Sequence, residues 1–264
     1  MKKSPKKTTV FEKRLAQCKE RVQQLQTCYQ ATSLLNAELN FPILLDTIMN
    51  LARQVAKADA SSLLLMDKDS GDLTFQVALS AVGEQIKSLQ RLKVGEGIAG
   101  TVAQTGRPLI IKDAYKHAKF NPDFDKKTGF KTGSILCAPL VFKGEVLGVC
   151  QVIHGRDKGK VFTARDLALF RLFCDSAALA IQNARMHGIL LDKQRMEKDM
   201  EFAKTVQESF FQASCPCIDN FLFAAKTVPA LVVGGDFYDF ICFDCNRIAV
   251  VLGDVSGKGV SAAL

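Results

Sequence analysis

Apolar residues near the start of the chain recur at alternating steps of four and three. The positions are Phe11, Leu15, Cys18, Val22, Leu25 and Tyr29, with lysine and arginine between them. This heptad stripe predicts a helix that either pairs with a partner helix or packs on its own domain. Pro42 marks the start of a second amphipathic helix, which we expect to end near Ala58.

The apolar pattern of the following hundred residues is that of β-strands. Four apolar runs, paired across two polar turns, lie at 61–66, 73–78, 134–141 and 146–153. Each pair fits a hairpin. We then predict that Thr163 is the N-cap of a long helix. Together these elements predict an α+β domain, an antiparallel sheet flanked by helices.

A second heptad stripe follows that domain. Its positions are Met186, Ile189, Lys193, Met196, Met200, Ala203, Gln207 and Phe210. The spacing predicts a coiled-coil linker and a homodimer formed through the helices, with a passive spacer as the alternative. Lys193 and Gln207 at seam positions would weaken the coiled coil and set its register.

Composition limits the class of protein. The chain has 264 residues, of which 48% are hydrophobic, enough for two globular domains. No apolar run reaches the roughly 18 residues of a membrane helix, and no signal peptide follows Met1. Nine cysteines, an odd number, indicate reduced thiols. We therefore expect a cytoplasmic protein without a membrane partner.

The formal net charge of +8 raises the question of nucleic-acid binding. The clustered positive charges lie on the terminal tail and the first helical turn, without interleaved aromatic residues or a base-reading pattern. They are Lys2, Lys3, Lys6, Lys7, Lys13 and Arg14. A solvated tail explains them, and we expect no nucleic-acid partner.

Two aspartates near the end of the chain form the main candidate for metal chemistry. Asp236 follows Gly234 and Gly235, and Asp254 follows an apolar run at 248–252 that predicts a buried strand. Carboxylates at the ends of adjacent strands suit hard cations such as Mg²⁺ or Mn²⁺. The sequence thus predicts a divalent-cation site there.

Other motifs favour structural explanations. Gly95, Gly97 and Gly100 match a dinucleotide-binding fingerprint, but hairpins do not provide its parallel βαβ unit, so we assign these glycines to turn geometry. Cys215, Cys217, Cys242 and Cys245 have the spacing of no zinc module that we can justify. Residues 253–259 lack the spacing of a phosphate-binding loop.

Residues 41–184 resemble the GAF domain, a sensory module that binds small molecules. The resemblance lies in segments 58–63, 95–103, 128–130, 135–140 and 178–184, which occur in the family's order. Members bind cyclic nucleotides, haem, chromophores or other ligands, and many mediate dimer contacts. The resemblance therefore implies a sensory domain but leaves its ligand unknown.

The cyclic-nucleotide-binding subclass of that family has an Asn-Lys pair followed by a Phe-x-x-x-Asp-Glu motif. Here His154 and Gly155 replace the pair, Phe162 and Asp166 are retained, and Leu167 replaces the glutamate. Packing and a helix start explain Phe162 and Asp166 equally well. This pattern disfavours cyclic-nucleotide binding.

The chain from Ala203 onward resembles the sporulation stage II E-like, protein phosphatase 2C-like serine/threonine phosphatases that regulate bacterial sigma factors. The matching residues are Ala203, Val206 and Gln207, Ala224 and Ala225, Pro229 and Ala230, then 234–240 and 253–264. A GAF domain, a helical linker and this phosphatase form a familiar order in such regulators.

The phosphatase resemblance implies a hydrolase with a two-metal Mn²⁺ or Mg²⁺ site. Asp236 and Asp254 would be its catalytic metal ligands, and the carbonyl of Val255 would add a further ligand. Lys258 either lies near the phosphate or is a solvated loop residue. The implied substrate is a phosphorylated protein resembling an anti-sigma-factor antagonist, cleaved by metal-activated hydroxide.

Length argues against an efficient enzyme. Only 51 residues run from Ser214 to Leu264, too few for the α/β/β/α phosphatase fold and its downstream aspartates. We therefore predict a basic tail and helix (1–40), a GAF domain (41–184), a linker (185–213) and an incomplete phosphatase domain (214–264) that is inactive alone. The alternative function is a non-catalytic module for small-molecule sensing and dimerisation, with a vestigial phosphatase segment.

Overall fold

The computed structural model describes residues 5–79, 91–211, 216, 221–229, 232–244 and 247–256. The chain divides into two compact units, Met1–His187 and Gly188–Leu264. Each unit is described separately below.

Five α-helices occur in the described residues. They are α1 (Pro5–Ala37), α2 (Phe41–Ala56), α3 (Gly97–Thr105), α4 (Asp123–Thr128) and α5 (Ala164–Phe210). The long helix α5 confirms that the helix predicted after Thr163 continues through the linker. Among these described helices, none combines the length and apolar character that a membrane span requires.

Capping residues fix the helix boundaries. The side chain of Asn40 accepts a hydrogen bond from the backbone N–H of Ile43, and Lys57 ends α2 in the left-handed conformation. At the start of α5, the hydroxyl of Thr163 accepts from the N–H of Asp166, whose carboxylate accepts in return from the N–H of Thr163 at 2.8 Å. This reciprocal pair confirms Thr163 as an N-cap.

The first unit contains a six-stranded sheet in the order β3-β2-β1-β6-β5-β4. Its strands are β1 (Ala60–Met66), β2 (Leu73–Leu79), β3 (Arg91–Leu92), β4 (Leu109–Ile111), β5 (Thr132–Phe142) and β6 (Glu145–Gly155). All neighbouring pairs are antiparallel, which confirms both predicted hairpins. Lys143 and Gly144, both with positive φ, form the two-residue turn between β5 and β6.

Two apolar layers cover the sheet because side chains alternate along each strand. On one face, Leu63 and Leu65 pack with α2, with the C-terminal part of α1 and with α5 up to Ala184. On the opposite face, Leu64 packs with the apolar side of α3. The second layer also borders the cavity described below.

Helix α1 is only partly covered by its own domain. Its residues Cys28, Ala31 and Leu35 are buried in the core, whereas Leu15 and Val22 are 46% and 51% exposed. Between Leu15 and Tyr29, the predicted stripe is therefore an exposed apolar surface. Its pairing with another helix stays a prediction.

The second unit contains the C-terminal part of α5 and an antiparallel hairpin, β7 (Asp236–Asp244) and β8 (Arg247–Asp254). The strand predicted at 248–252 is confirmed as part of β8, but its predicted burial is wrong, since Val250 and Leu252 are 58% and 83% exposed. A two-stranded hairpin does not define a phosphatase fold, so that part of the predicted fold class stays a prediction.

Candidate functional site

A cavity of about 590 Å³ opens on the sheet face that carries α3. It lies entirely in the first unit. Ser62, Ile135, Gln151 and Ile153 form its floor because they occupy alternate positions that point to this face of β1, β5 and β6. The volume is in the range of small-molecule sites in proteins.

The glycines just before and within the start of α3 determine how this helix meets the cavity. Gly95 has a φ of +90°, and its N–H donates to the carbonyl of Gly100 at 2.8 Å. A Cβ atom on Gly100 would lie 2.5 Å from the carbonyl oxygen of Lys93, so only glycine fits there. The G-x-G-x-x-G pattern therefore serves turn geometry, as predicted.

The first turn of α3 supplies positive potential to the cavity. Gly97, Ile98 and Ala99 line the cavity beside Glu96, whose carboxylate accepts from the N–H of Lys93 at 3.3 Å and does not cap the helix. Unpaired N–H groups at a helix start favour an anionic group. Lys119 also lines the cavity, and its ammonium group donates to the hydroxyl of Thr101 at 2.9 Å.

Aromatic side chains provide the apolar part of the lining. Phe75, Phe120 and Phe130 all border the cavity. Aromatic walls favour a planar ligand, since flat faces bury large areas against each other. The cavity thus combines an aromatic lining with a positively polarised helix start.

Asp125 is a buried acid at the cavity wall. Its carboxylate accepts hydrogen bonds from the N–H and hydroxyl of Thr132, at 2.7 and 2.6 Å, and from the hydroxyl of Tyr115 at 2.8 Å. The bond to Asp125 raises the pKa of Tyr115. These contacts hold α4 against β5. Sequence reasoning missed Asp125, because nothing in its spacing separates it from neighbouring surface acids.

The retained cyclic-nucleotide signature residues have structural roles. Phe162 is buried, and its ring stacks on His154 with centroids 4.2 Å apart. Asp166 caps α5, as described above. Neither residue lines the cavity.

Asp59 ties the start of β1 to the end of β6. Its carboxylate accepts from the N–H of Gly155 at 2.9 Å and from the ammonium group of Lys158 at 2.6 Å, and it lies 3.4 Å from Nδ1 of His154. Burial raises the pKa of the Asp59 carboxyl group, but the hydrogen bonds outweigh burial and lower that pKa overall.

Buried thiols lie in the core of the first unit. Cys137, Cys150 and Cys174 are fully buried, and burial raises the pKa of Cys137 and Cys174 well above the ordinary value. The described cysteines form no disulfide. Such thiols are core packing groups, as the sequence predicts.

In the second unit, the two predicted metal-ligating aspartates lie directly opposite each other. Asp236 of β7 pairs with Asp254 of β8 in the antiparallel register, so both side chains point to the same face. The N–H of Val255 donates to the carbonyl of Gly235 at 3.2 Å. A Cβ atom on Gly235 would lie 2.7 Å from the carbonyl oxygen of Val255, so glycine permits this approach.

The donor set at the hairpin end is small. Two opposed carboxylates repel each other, and a hard cation would relieve that repulsion. Within the described residues, however, no group of three histidine, cysteine or acidic side chains could hold a metal. Gly257, Lys258 and Gly259 lie outside the described residues, as do Cys215, Cys217 and Cys245.

Comparison with known families identifies the first unit. The model of the GAF domain matches residues 41–181, more than half of the chain. The chain therefore belongs to the GAF domain family and contains a small-molecule-sensing module. The match ends at residue 181 and does not include the segment that follows.

The chain is similar to two 3′,5′-cyclic phosphodiesterases. The chain is 32% identical over 165 residues to a probable 3′,5′-cyclic phosphodiesterase of Caenorhabditis elegans, covering 60% of this chain and 22% of that protein. It is 34% identical over 147 residues to a cGMP-specific 3′,5′-cyclic phosphodiesterase of Drosophila sechellia, covering 54% of this chain and 12% of that protein. The chain thus spans less than a quarter of the length of these relatives.

Solved structures support the fold. The chain matches the GAF domain of a phosphoenolpyruvate-protein phosphotransferase from Coxiella burnetii with a TM-score of 0.56 and 24% identity, over 63% of this chain and 96% of that one. It also matches free methionine-R-sulfoxide reductase from Neisseria meningitidis, with a TM-score of 0.52 and 14% identity, over 62% of this chain and 91% of that one.

Proposed function

We propose that the chain is a ligand-sensing protein whose GAF cavity binds a planar, anionic small molecule of the cyclic-nucleotide class. The observation that carries this proposal is the cavity itself, in which aromatic side chains accompany the uncapped start of α3. Rings would lie against Phe75, Phe120 or Phe130, and a phosphate would be placed near the N–H groups of Gly97 and Ile98.

The relatives support the choice of cGMP as the first ligand to test. Those named above are cyclic phosphodiesterases, and one is named as specific for cGMP. The incomplete signature at His154, Gly155 and Leu167 argues in the opposite direction. Because His154, Gly155 and Leu167 do not line the cavity, these departures from the signature do not change the cavity wall.

A thermal-shift experiment with cGMP, cAMP and 5′-GMP tests the ligand class. We expect one cyclic nucleotide at saturating concentration to raise the melting temperature of the chain, because a ligand that binds only the folded state stabilises it. The variant Gln151→Leu removes an amide from the cavity floor and should reduce the shift. Gln182→Leu changes a residue of α5 outside the cavity lining and serves as the control. No shift with any of the three nucleotides would contradict the proposal.

A second candidate function is the metal-dependent serine/threonine phosphatase implied by the sequence resemblance. What supports it is the opposed pair Asp236 and Asp254 together with the close approach of Gly235 to Val255. A bound pair of Mn²⁺ or Mg²⁺ ions would activate water for attack on a phosphoserine or phosphothreonine. With only these two side chains available, we propose that the chain alone is inactive.

The partners remain proposals as well. A phosphorylated protein resembling an anti-sigma-factor antagonist is the substrate that the phosphatase candidate implies. A homodimer through α1 and α5 is supported by exposed apolar residues on both helices, among them Leu25 and Ile189. Sedimentation equilibrium of the chain and of a Val22→Glu variant would test the dimer, since a buried charge in a helix seam should produce monomers.

A hydrolysis assay separates the two functions. The full chain is incubated with a phosphoserine peptide and Mn²⁺, beside an Asp254→Asn variant. The sensing function predicts no turnover in either protein. Turnover that is lost in the variant would establish the phosphatase function and contradict the proposed inactivity.

A further inference from the structure

Tyr115 contacts two residues of the cavity lining from outside the cavity. Its hydroxyl donates to the carboxylate of Asp125 at 2.8 Å, and its ring centroid lies 5.1 Å from that of Phe120. Asp125 and Phe120 both line the cavity, whereas Tyr115 does not. The position of Tyr115 therefore affects an acid and an aromatic face of the lining together.

Tyr115 belongs to a segment that forms one wall of the cavity. This wall segment, residues 114–130, consists of a 3₁₀ turn (Ala114–Lys116), helix α4 and the loops around them. Elements this short make few internal hydrogen bonds, so the wall depends on contacts with its neighbours. Its lining residues are Ala118, Lys119, Phe120, Asn121, Asp125 and Phe130.

Arg156 contacts the wall segment at the ring of Tyr115. Its guanidinium carbon lies over this ring, 5.1 Å from the centroid, at a distance where a cation is attracted to the aromatic face. The bond to Asp125 raises the pKa of Tyr115, and the charge of Arg156 lowers that pKa, which agrees with this placement. Arg156 does not line the cavity, so it contacts the lining only through Tyr115.

The backbone of Arg156 is fixed on the sheet, next to the start of β5. Its N–H donates to the carbonyl of Lys131 at 2.8 Å. A Cβ atom on Gly133 would lie 3.0 Å from the Cα atom of Arg156, so the two backbones pack directly on each other. The Arg156 side chain therefore reaches the Tyr115 ring from a fixed position.

We propose that Arg156 is a positioning residue of the ligand cavity, which holds the wall segment closed through its contact with the Tyr115 ring. Without this contact, Asp125 and Phe120 are held less firmly and the wall opens more often. The effect on the wall stands on its own, whereas the effect on a ligand rests on the proposed sensing function.

Amide hydrogen exchange of the full chain without ligand tests the effect on the wall. The N–H of Thr132 donates to Asp125, so its exchange rate reports on the opening of that bond. Arg156 is exposed, so Arg156→Gln should keep the fold, and we expect about threefold faster exchange at Thr132. Arg156→Lys keeps a cation and should restore most of the protection. Lys160→Gln removes an exposed charge between β6 and α5 and is the control.

The release of a fluorophore-labelled cGMP tests the effect on the ligand. We expect about threefold faster release from Arg156→Gln, since a wall that opens more often releases a ligand sooner. In a Tyr115→Leu background, Arg156→Gln should cause no further change, because the ring through which Arg156 acts is absent. An equal effect of Arg156→Gln with and without this ring would mean that the charge attracts the ligand directly, and would overturn the positioning role.

The two measurements separate failure of the inference from failure of the proposed function. If the wild-type chain binds no cGMP, the proposed ligand is wrong, and the Thr132 amide alone decides the role of Arg156. Equal Thr132 exchange in Arg156→Gln and wild type would overturn that role in either case. Faster exchange with unchanged release of bound cGMP would overturn the effect on the ligand.

Discussion

The two units of the chain differ in how completely their sheets are covered. In the first unit, apolar side chains on both faces of the six-stranded sheet are buried under helices. In the second, Phe237 on one face of the hairpin is 42% exposed, and Val250 and Leu252 on the other face are 58% and 83% exposed. The first unit therefore has the buried core of a domain. In the second unit, the described hairpin keeps the local turn around Asp236 and Asp254, but several of its apolar side chains are exposed.

This difference explains which resemblance the comparisons support. The GAF family matches residues 41–181, which contain the sheet of the first unit. A few residues around two aspartates can preserve a local turn without such a core. Chemistry inferred from the second unit therefore needs direct measurement, while the fold of the first does not.

Replacing a glycine by alanine in the sheet of each unit should give the largest difference in stability between the units. A Cβ atom on Gly148 of β6 would lie 2.2 Å from the carbonyl oxygen of Leu64. A Cβ atom on Gly253 of β8 would lie 2.4 Å from the ring of Phe237, which is exposed and can rotate away. We expect Gly148→Ala to destabilise the chain by about 3 kcal/mol or more. Gly253→Ala should cost less than about 1 kcal/mol.

Urea denaturation of both variants measures this contrast. Gly188→Ala is a suitable control, because the added Cβ meets no atom within 4 Å beyond its own stretch of helix and alanine favours a helix. Equal destabilisation by Gly148→Ala and Gly253→Ala would show that the hairpin is packed as tightly as the first sheet.

Loss of the Asp59 interactions in the first unit should give the second largest change in stability. Asp59→Asn removes the charge that Lys158 and the N–H of Gly155 stabilise, and we expect a loss of about 2 kcal/mol at pH 7. Asp69→Asn, in an exposed turn, is the matched control and should have little effect. Chemical denaturation of the three proteins at pH 7 provides the comparison.

The Asp59 effect should depend on pH in one direction. Its pKa is lower in the folded chain than the ordinary value, so its stabilisation is present above the unfolded-state pKa of about 3.9 and is lost as pH falls through the folded-state pKa. The stability difference between wild type and Asp59→Asn should shrink at low pH. A difference that stays constant down to pH 2 would mean that the Asp59 charge does not stabilise the fold.

Removing the positive charge of Lys119 should have a smaller effect, and that effect is on ligand affinity. Lys119→Ala removes a cation from the cavity lining, and we expect about fivefold weaker binding of a cyclic nucleotide. Because Lys119 is exposed, added salt should reduce the difference between the variant and wild type. Lys112→Ala, exposed and outside the lining, should bind as wild type does. Equal affinities of all three proteins would place the anionic group elsewhere.

The smallest effect should come from the exposed face of the hairpin. Leu252→Ser should change the stability of the chain by less than about 0.5 kcal/mol, because Leu252 is 83% exposed. Leu63→Ser, fully buried in the first unit, is the comparison and should be strongly destabilising. A loss above about 2 kcal/mol for Leu252→Ser would show that another surface covers this residue in solution.

The periodicity of apolar residues and the residues at turns and caps predict several elements of the fold correctly. Both hairpins of the GAF sheet follow from apolar runs around turns, and the start of α5 follows from Thr163. The short strand β4 and helix α4 were missed, because three- and six-residue elements leave no readable period. The cavity was missed too, since it is assembled from residues far apart in the chain.

The candidate sites show the same limit. The pairing of Asp236 with Asp254 could be anticipated, because the sequence places both aspartates next to glycines and at the ends of adjacent strands. Asp125 and Gln207 could not, since their roles depend on contacts with Thr132 and Gly234 that no spacing encodes. Gln207 also fitted a heptad position, so the pattern indicated a different partner from the one it has.

Isothermal titration of the full chain with cGMP tests the central claim most directly, namely that the GAF cavity is a ligand-binding site. We predict saturable binding with one site per chain for wild type and weaker binding for Gln151→Leu, with Gln182→Leu unchanged. Binding that is equal in all three proteins would show that cGMP binds outside the cavity. Two negative results together would contradict the cyclic-nucleotide assignment. They are no heat of binding at any accessible concentration and no displacement of a fluorophore-labelled cGMP by unlabelled cGMP.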